Sequence, residues 1–392
     1  MRFAHFADCH LGSWRQPELQ KLNLESFKKA VDICINEKVD FIIFAGDLFD
    51  SAYPSIEILK EVFSEFKRIK EEGIKTFIIA GSHDYSVSGK TFLDVLEKAG
   101  FCKICDFEKN EDGSILLKAC NYQGISIYGY PGKKSGLEVE DLKRLSLEPT
   151  NNFKILILHT TMESAKGNLP IDSVAIKELP EADYYALGHL HLIHEYKAGE
   201  NRYLIYPGPI FPNNFAELQE LGAGSFYIVD VNGFVKLTRK ELKLKELLFL
   251  ELEVENALTA TEKILLEMEK SDLRDKIVLL KLKGTIKQGK NSDIKFQEIQ
   301  EKANERKAYV LLKNTNQLKT EEAEMEVHTE NIEGIEETLI EEFSKNNNSE
   351  FNRFILPLIN SFSLEKQEDE KNAVFESRLL SEINRILNLN IQ

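Results

Sequence analysis

Residues 41–50 read Phe41-Ile42-Ile43-Phe44-Ala45-Gly46-Asp47-Leu48-Phe49-Asp50. Five apolar residues are followed by a glycine and then a carboxylate. A run this short and this apolar reads as a strand, and the glycine lets the chain turn sharply where the strand ends. The same grammar recurs on both sides of it. Arg2–Ala7 runs into Asp8-Cys9-His10, Thr76–Ala80 into Gly81-Ser82-His83-Asp84, Lys154–Leu158 into His159, and Tyr184–Leu187 into Gly188-His189-Leu190-His191. Further strands are expected at Ser126–Gly129 and Ser225–Val231, and helices at Leu24–Asn36 and Ile56–Glu72. The second helix repeats Ile58, Leu59, Val62, Phe66 and Ile69 at spacings of three and four. Strands alternating with amphipathic helices predict an α/β sandwich over residues 1–235.

In α/β layers, ligands sit beyond the carboxyl ends of the strands, so these five ends should converge. Five of the eight histidines, His10, His83, His159, His189 and His191, stand there. Asp8 and His10 lie two residues apart on an extended chain and face the same way, as do His189 and His191. Imidazole and carboxylate without thiolate suit Mn, Fe or Zn in a working site rather than a structural zinc. Two such ions need a bridging carboxylate, and together they clamp a phosphate and activate a water. A single strand-end His or Asp is usually a cap or turn residue; five ends of one chemistry are not accounted for that way.

The remaining chain divides by composition. The 392 residues carry a net charge of −15, unevenly spread. Residues 321–342 hold ten Glu and no Lys or Arg, whereas residues 236–320 hold 19 Lys and Arg against 14 Asp and Glu. The overall charge therefore does not exclude a nucleic acid, because the local field at a cleft governs that. Residues 236–320 predict a compact α+β module: strands Leu248–Val254, Lys276–Lys283 and Ala308–Lys313, helices Ala257–Glu269 and Lys295–Glu305, and a polar loop Gly284–Asn291. Residues 321–350 read as an acidic linker turning helical near Ile332–Phe343, and 351–392 as two apolar helices, Phe351–Phe362 and Ala373–Leu389. No run approaches the roughly 20 residues of a membrane span. The N-terminus lacks a signal-peptide cleavage pattern, and five scattered cysteines make no disulfide framework, so a reducing intracellular location is expected.

The order Asp8-x-His10, Gly46-Asp47-x-x-Asp50, Gly81-Ser82-His83-Asp84, His159 and Gly188-His189-x-His191 resembles the calcineurin-like metallophosphoesterases. Asp8-Cys9-His10-Leu11-Gly12, Gly46-Asp47-Leu48-Phe49 and Tyr206-Pro207-Gly208-Pro209 narrow the resemblance to the archaeal, SbcD-type DNA double-strand-break repair nucleases. It implies a four-layer α/β/β/α sandwich with a small α+β capping domain that binds DNA and C-terminal helices that grip a partner. It also implies two Mn2+ per subunit, with Mg2+, Fe2+ or Zn2+ as alternatives. Asp8, His10, Asp47 and His191 would hold one ion and Asp47, Ser82, His159 and His189 the other, Asp47 bridging. His83 would be the catalytic histidine, held by Asp84. The implied activity is exonuclease and single-strand endonuclease, in a homodimer associated with the nucleoid and with an SMC-like, ABC-type ATPase. Two positions depart from the pattern: Ser82 stands where the family has Asn, a weaker oxygen donor, and Asp50 often where it has His, placing a carboxylate behind the ligands.

Weaker signals keep two readings each. Trp14-Arg15 belongs either to a DNA-touching rim or, for the tryptophan, to the core. Lys133 and Lys134, in Pro131–Gly136, are a surface turn or a phosphate contact. Cys102-x-x-Cys105 is discounted as a metal site. The tail positions Phe354, Leu358, Phe375, Leu379, Ile383 and Ile386 either pack on the cap or dock into a partner groove. As functions, a small-molecule phosphodiesterase or phosphatase and a non-catalytic DNA scaffold stand as alternatives to the nuclease. Asp50-Ser51-Ala52 counts against a phosphoprotein phosphatase, where Asp-Arg-Gly is usual.

Overall fold

In the computed structural model, residues 1–85, 89, 91–168, 170–199, 201–320, 349, 351–362, 364 and 372–387 are described. They fall into two compact units, Met1–Thr320 and Glu321–Gln392.

The first unit is built on two six-stranded sheets packed face to face. One has the spatial order Val235–Leu242, Gly224–Val231, Arg2–Phe6, Phe41–Ala45, Lys75–Ile79, Lys103–Ile104. The other runs Ile193–Lys197, Tyr203–Pro207, Tyr184–Gly188, Phe153–His159, Ile125–Tyr130, Cys120–Tyr122. The strands that carry the predicted site residues are parallel to their neighbours, Arg2–Phe6 with Phe41–Ala45 and Lys75–Ile79 in the first sheet, Phe153–His159 with Tyr184–Gly188 in the second. Their carboxyl ends therefore all lie at one edge of the sandwich.

Side-chain alternation explains why these strands are apolar throughout. Phe41, Ile43 and Ala45 face the second sheet, where they meet Ile155, Ile157 and Ala186. Ile42 and Phe44 face outward onto Phe27, Val31, Val62 and Phe66 of helices Pro17–Asn36 and Ile56–Glu71. Fully burying one such side chain contributes about 2 kcal/mol, so a polar residue at any of these positions would open the sandwich. The outer face of the second sheet is covered more thinly, by the short helix Glu138–Leu142 and a three-stranded sheet of Phe107–Lys109, Ile115–Leu117 and Leu145–Leu147.

Strand Val235–Leu242 pairs along its whole length with Gly224–Val231. Residues 236–242, counted with the cap on composition, therefore extend the first sheet; a hairpin edge strand with one wet face is polar enough to pass for a linker. The cap itself has the parallel order Leu247–Glu253, Ile277–Ile286, Val310–Thr320, with helices Ala257–Lys270 and Phe296–Glu305 on one face. Its two longer strands run past the expected ends, because Ile286 is buried in the cap core and Leu318 packs against it. The opposite face is anchored on the sandwich by one apolar cluster, in which Ile277, Leu279 and Leu312 join Trp14, Leu19 and Leu218.

In the second unit, helices Ile355–Phe362 and Asn372–Leu387 pack together. Phe354, Leu358, Phe375, Leu379, Ile383 and Ile386 are half-buried there. Apart from residue 349, the acidic segment 321–350, with the helix expected at Ile332–Phe343, lies outside the described residues. No helix among the described residues is long and apolar enough to cross a membrane.

Candidate metal centre

The strand ends do more than meet; they are bent into place. Asp8, His10, Asp47 and His189 have φ of 50°, 41°, 51° and 95°. They are half of the eight non-glycine residues with positive φ among the described residues. Each such conformation costs on the order of 1–3 kcal/mol and persists only where packing enforces it, typically at functional sites. Glycines supply the room. A Cβ on Gly46 would stand 2.4 Å from His159 Nδ1, one on Gly81 2.1 Å from Asp47 Oδ1, and one on Gly188 2.1 Å from the Ala45 carbonyl oxygen. Gly132 closes the cradle, since its Cβ would lie 2.5 Å from His159 Cδ2.

Within that cradle the donors converge. Asp8, His10 and His191 offer atoms within 4.8 Å of one another, and so do Asp8, Asp47 and His159. His10 Nε2 lies 3.0 Å from His191 Nε2 and 3.5 Å from Asp47 Oδ2, which is 3.2 Å from His159 Nε2. Each of these histidines has its second nitrogen fixed. His159 Nδ1 donates to the Ala45 carbonyl at 3.0 Å, His10 Nδ1 to Asp50 Oδ1 at 3.1 Å, and His191 Nδ1 to Glu217 Oε1 at 2.9 Å. This is how metal-ligating imidazoles are commonly oriented, leaving Nε2 with a lone pair toward the ion. Among the described residues Asp8 Oδ2 and His159 Nε2 are buried without a hydrogen-bond partner, a costly state in an apolar interior that a cation at the cluster would relieve. The residues therefore fit a divalent metal site.

The electrostatics agree. Burial raises the Asp8 carboxyl, only partly offset by His191 and His159. Burial also opposes ionisation of Asp47, yet the charges of His159 and His10 and the His83 amide hold its carboxyl well below the usual range. Burial disfavours a charged His159, but Asp47 and Asp8 push its pKa up to about 10. Burial and the neighbouring His159 bring His189 down to about 4. The field that favours a proton on His159 is the field that favours a cation beside it.

His83 lies against this set, its donor atom within 4.8 Å of those of His10 and Asp50. It is half exposed, its ring stands edge-on to His10, and its Nδ1–H donates to the Asp50 carbonyl at 2.8 Å, which fixes the ring. Its backbone N–H donates to Asp47 Oδ1 at 2.8 Å. The resemblance implied that Asp84 holds the His83 imidazole; among the described residues its contacts are to backbone amides instead. It is buried and accepts from the Gly81, Phe49 and Leu48 amides at 2.9, 3.1 and 3.3 Å. Its task is to tie the two loops that carry Asp47 and His83; Asp50 holds the His83 ring. Ser82 is half-buried in the same turn and makes no hydrogen bond among the described residues.

The rim residues separate. Trp14 is 9% exposed and donates Nε1–H to the Pro212 carbonyl at 3.0 Å, so it belongs to the core under the cap and offers no face to a nucleic acid. Arg15 is exposed. The Lys133 ammonium is engaged by Asp141, whereas Lys134 is exposed with no ion-pair partner among the described residues. Cys105 lies in the core between the sheets and hydrogen-bonds Cys120, away from the ligand set. Glu217 was missed by sequence reasoning. Asn214-x-x-Glu217 is legible as a helix start, but nothing in it signals a histidine 26 residues upstream.

Residues 1–192 match the family model of the calcineurin-like phosphoesterases. This part of the chain is a calcineurin-like metallophosphoesterase domain, of a class that hydrolyses phosphoester bonds with bound metal. Within that class the chain is similar to the DNA double-strand break repair protein Mre11 of Archaeoglobus fulgidus, 26% identical over 311 residues, 73% of this chain and 69% of that protein. The protein of the same name from Methanocaldococcus jannaschii is 32% identical over 243 residues, 59% of this chain and 63% of its own length. The uncharacterized metallophosphoesterase YhaO of Bacillus subtilis is 28% identical over 243 residues, 59% of this chain and 57% of its own. The chain thus matches less than two thirds of the length of the latter two.

Proposed function

We propose that the chain is a two-metal DNA nuclease, acting as exonuclease and single-strand endonuclease in double-strand-break repair. The observation that carries this reading is the position of Asp47 Oδ2, 3.5 Å from His10 Nε2 and 3.2 Å from His159 Nε2. One carboxylate oxygen stands between two ligand sets, as a bridging ligand must. Asp8, His10, Asp47 and His191 would hold one ion, and Asp47, Ser82, His159 and His189 the other. Mn2+ is the favoured ion; Mg2+, Fe2+ and Zn2+ also suit nitrogen and oxygen donors. When bound, the ions supply Lewis acidity and lower the pKa of the attacking water.

The protein's own contribution centres on His83. With Nδ1 held by the Asp50 carbonyl, a protonated Nε2 donates to the developing phosphoryl charge or to the leaving oxygen. Arg15 and Lys134, both exposed, are offered as phosphate contacts; Lys133 contributes only where it leaves Asp141. DNA as substrate is supported by the names of the archaeal relatives. Phe354, Leu358, Phe375, Leu379, Ile383 and Ile386 are proposed to dock on an SMC-like, ABC-type ATPase, the nuclease working as a homodimer at the nucleoid.

The test is a Mn2+ titration of the purified full chain with DNA substrates, alongside His83→Ala. The variant is expected to bind Mn2+ as the parent does and to lose at least about 100-fold in cleavage. DNA binding without hydrolysis at saturating Mn2+ would establish a scaffold instead. Rapid turnover of bis-p-nitrophenyl phosphate with intact DNA would establish a small-substrate phosphodiesterase.

A further inference from the structure

Glu217 sits where two parts of the molecule meet. Its Oε1 accepts from His191 Nδ1 at 2.9 Å, and its Oε2 from the Asn213 backbone amide at 2.7 Å. Both oxygens are thus committed, one to a metal ligand and one to the loop beneath it. The side chain is mostly buried, 15% exposed, so water does not readily replace either bond. The short helix that carries it, Phe215–Leu221, is held from two directions. Below, Ser13 Oγ donates to Asn213 Oδ1 at 3.2 Å and Trp14 Nε1 to the Pro212 carbonyl at 3.0 Å, which ties the segment to the loop following His10. Above, the helix touches cap strand Val310–Thr320, and Leu218 is buried in one cluster with Leu312 and Leu279 of the cap.

We propose that Glu217 is a positioning residue that links the seating of the cap to the grip of His191 on its metal. The inference rests on the two-metal reading of the site. A carboxylate that accepts from Nδ1–H fixes the imidazole tautomer and its plane, so that Nε2 faces the ion. Because the carboxylate rides on a helix packed under the cap, a shift of the cap sheet moves the acceptor and with it the ligand. Packed interiors transmit such shifts rather than absorb them. The consequence is a metal site whose affinity reports whether the cap is seated, and a substrate that displaces the cap would alter that affinity in turn.

The test uses the full chain and reads Mn2+ binding by calorimetry, with Trp14, the one tryptophan, as fluorescence reporter of the cap contact. Glu217→Ala is expected to weaken one of the two Mn2+ sites by about 10–100-fold while Trp14 emission holds and the unfolding midpoint falls only modestly, because the His191 and Asn213 donors lose a buried acceptor. Glu217→Gln, whose amide oxygen still accepts from Nδ1, should recover most of that loss. Leu312→Ala, which loosens the cap contact away from the ligands, should weaken the same site about threefold or more in the parent and leave it unchanged when Glu217 is already Ala. Wild-type Mn2+ affinity in Glu217→Ala, a Gln variant no better than Ala, or additive losses in the double variant would each overturn the inference. Failure of the parent to bind two Mn2+ would instead defeat the two-metal reading beneath it.

Discussion

Gly188→Ala is the substitution for which the structure makes the sharpest demand. The added Cβ would stand 2.1 Å from the Ala45 carbonyl oxygen and 3.0 Å from His159 Nδ1. An ordinary carbon–oxygen contact is about 3.2 Å, so the ends of Phe41–Ala45 and Tyr184–Gly188 must part by roughly 1 Å. Gly188 is absent from the positive-φ residues, so the backbone itself accepts alanine and the penalty is overpacking, about 1–3 kcal/mol. The carbonyl that is struck is the one that accepts from His159 Nδ1 at 3.0 Å. A displacement near 1 Å at that bond misaims His159, a scale of error worth about 100-fold in a site of this kind. Thermal unfolding of the metal-free protein should therefore show a modest loss, and Mn2+ calorimetry a disproportionate one, at the site containing His159. Gly124→Ala is the control, because its Cβ meets nothing within 4 Å and its φ of 86° adds only strain. It should destabilise the fold yet leave Mn2+ affinity untouched. Parent-like metal binding in Gly188→Ala would refute the claim that close approach of these two strands sets the ligand.

Three other outcomes follow from the structure. Ser82→Asn, which restores an amide donor, should tighten the second Mn2+ by roughly tenfold; an unchanged stepwise titration would mean residue 82 is not a ligand. His5 is fully buried against Tyr184 and burial lowers its pKa to about 3, so it folds neutral whereas the unfolded chain protonates it near 6.5. Its contribution is present above pH 6.5 and declines as pH falls toward 3, a loss of about 1.4 kcal/mol at pH 5.5. Urea unfolding of metal-free protein at pH 7.5 and 5.5 should show that increment in the parent and not in His5→Phe; equal pH dependence would disprove it. Deleting residues 351–392 should abolish binding of the proposed ATPase partner and spare the proposed DNA cleavage, and loss of both in parallel pull-down and nuclease assays would sink the division of labour.

Local sequence determined the strands and where they stop. Phe41–Ala45 read as a short strand and Gly46-Asp47 as its sharp polar end, because apolar runs and turn chemistry are properties of neighbours in the chain. The ligands converge because the tertiary structure stacks two sheets whose site-bearing strands run parallel, with their carboxyl ends at one edge. The tertiary structure alone decided what stands behind those ligands. Glu217 reaches His191, Asp84 ties loop amides rather than His83, and Trp14 is sealed under the cap instead of lining a rim. It also decided that residues 236–242 close the first sheet, and that Asp8, His10, Asp47 and His189 are held in left-handed conformations. Such contacts join residues tens to hundreds of positions apart, and a one-dimensional pattern carries no record of which distant groups packing will force together.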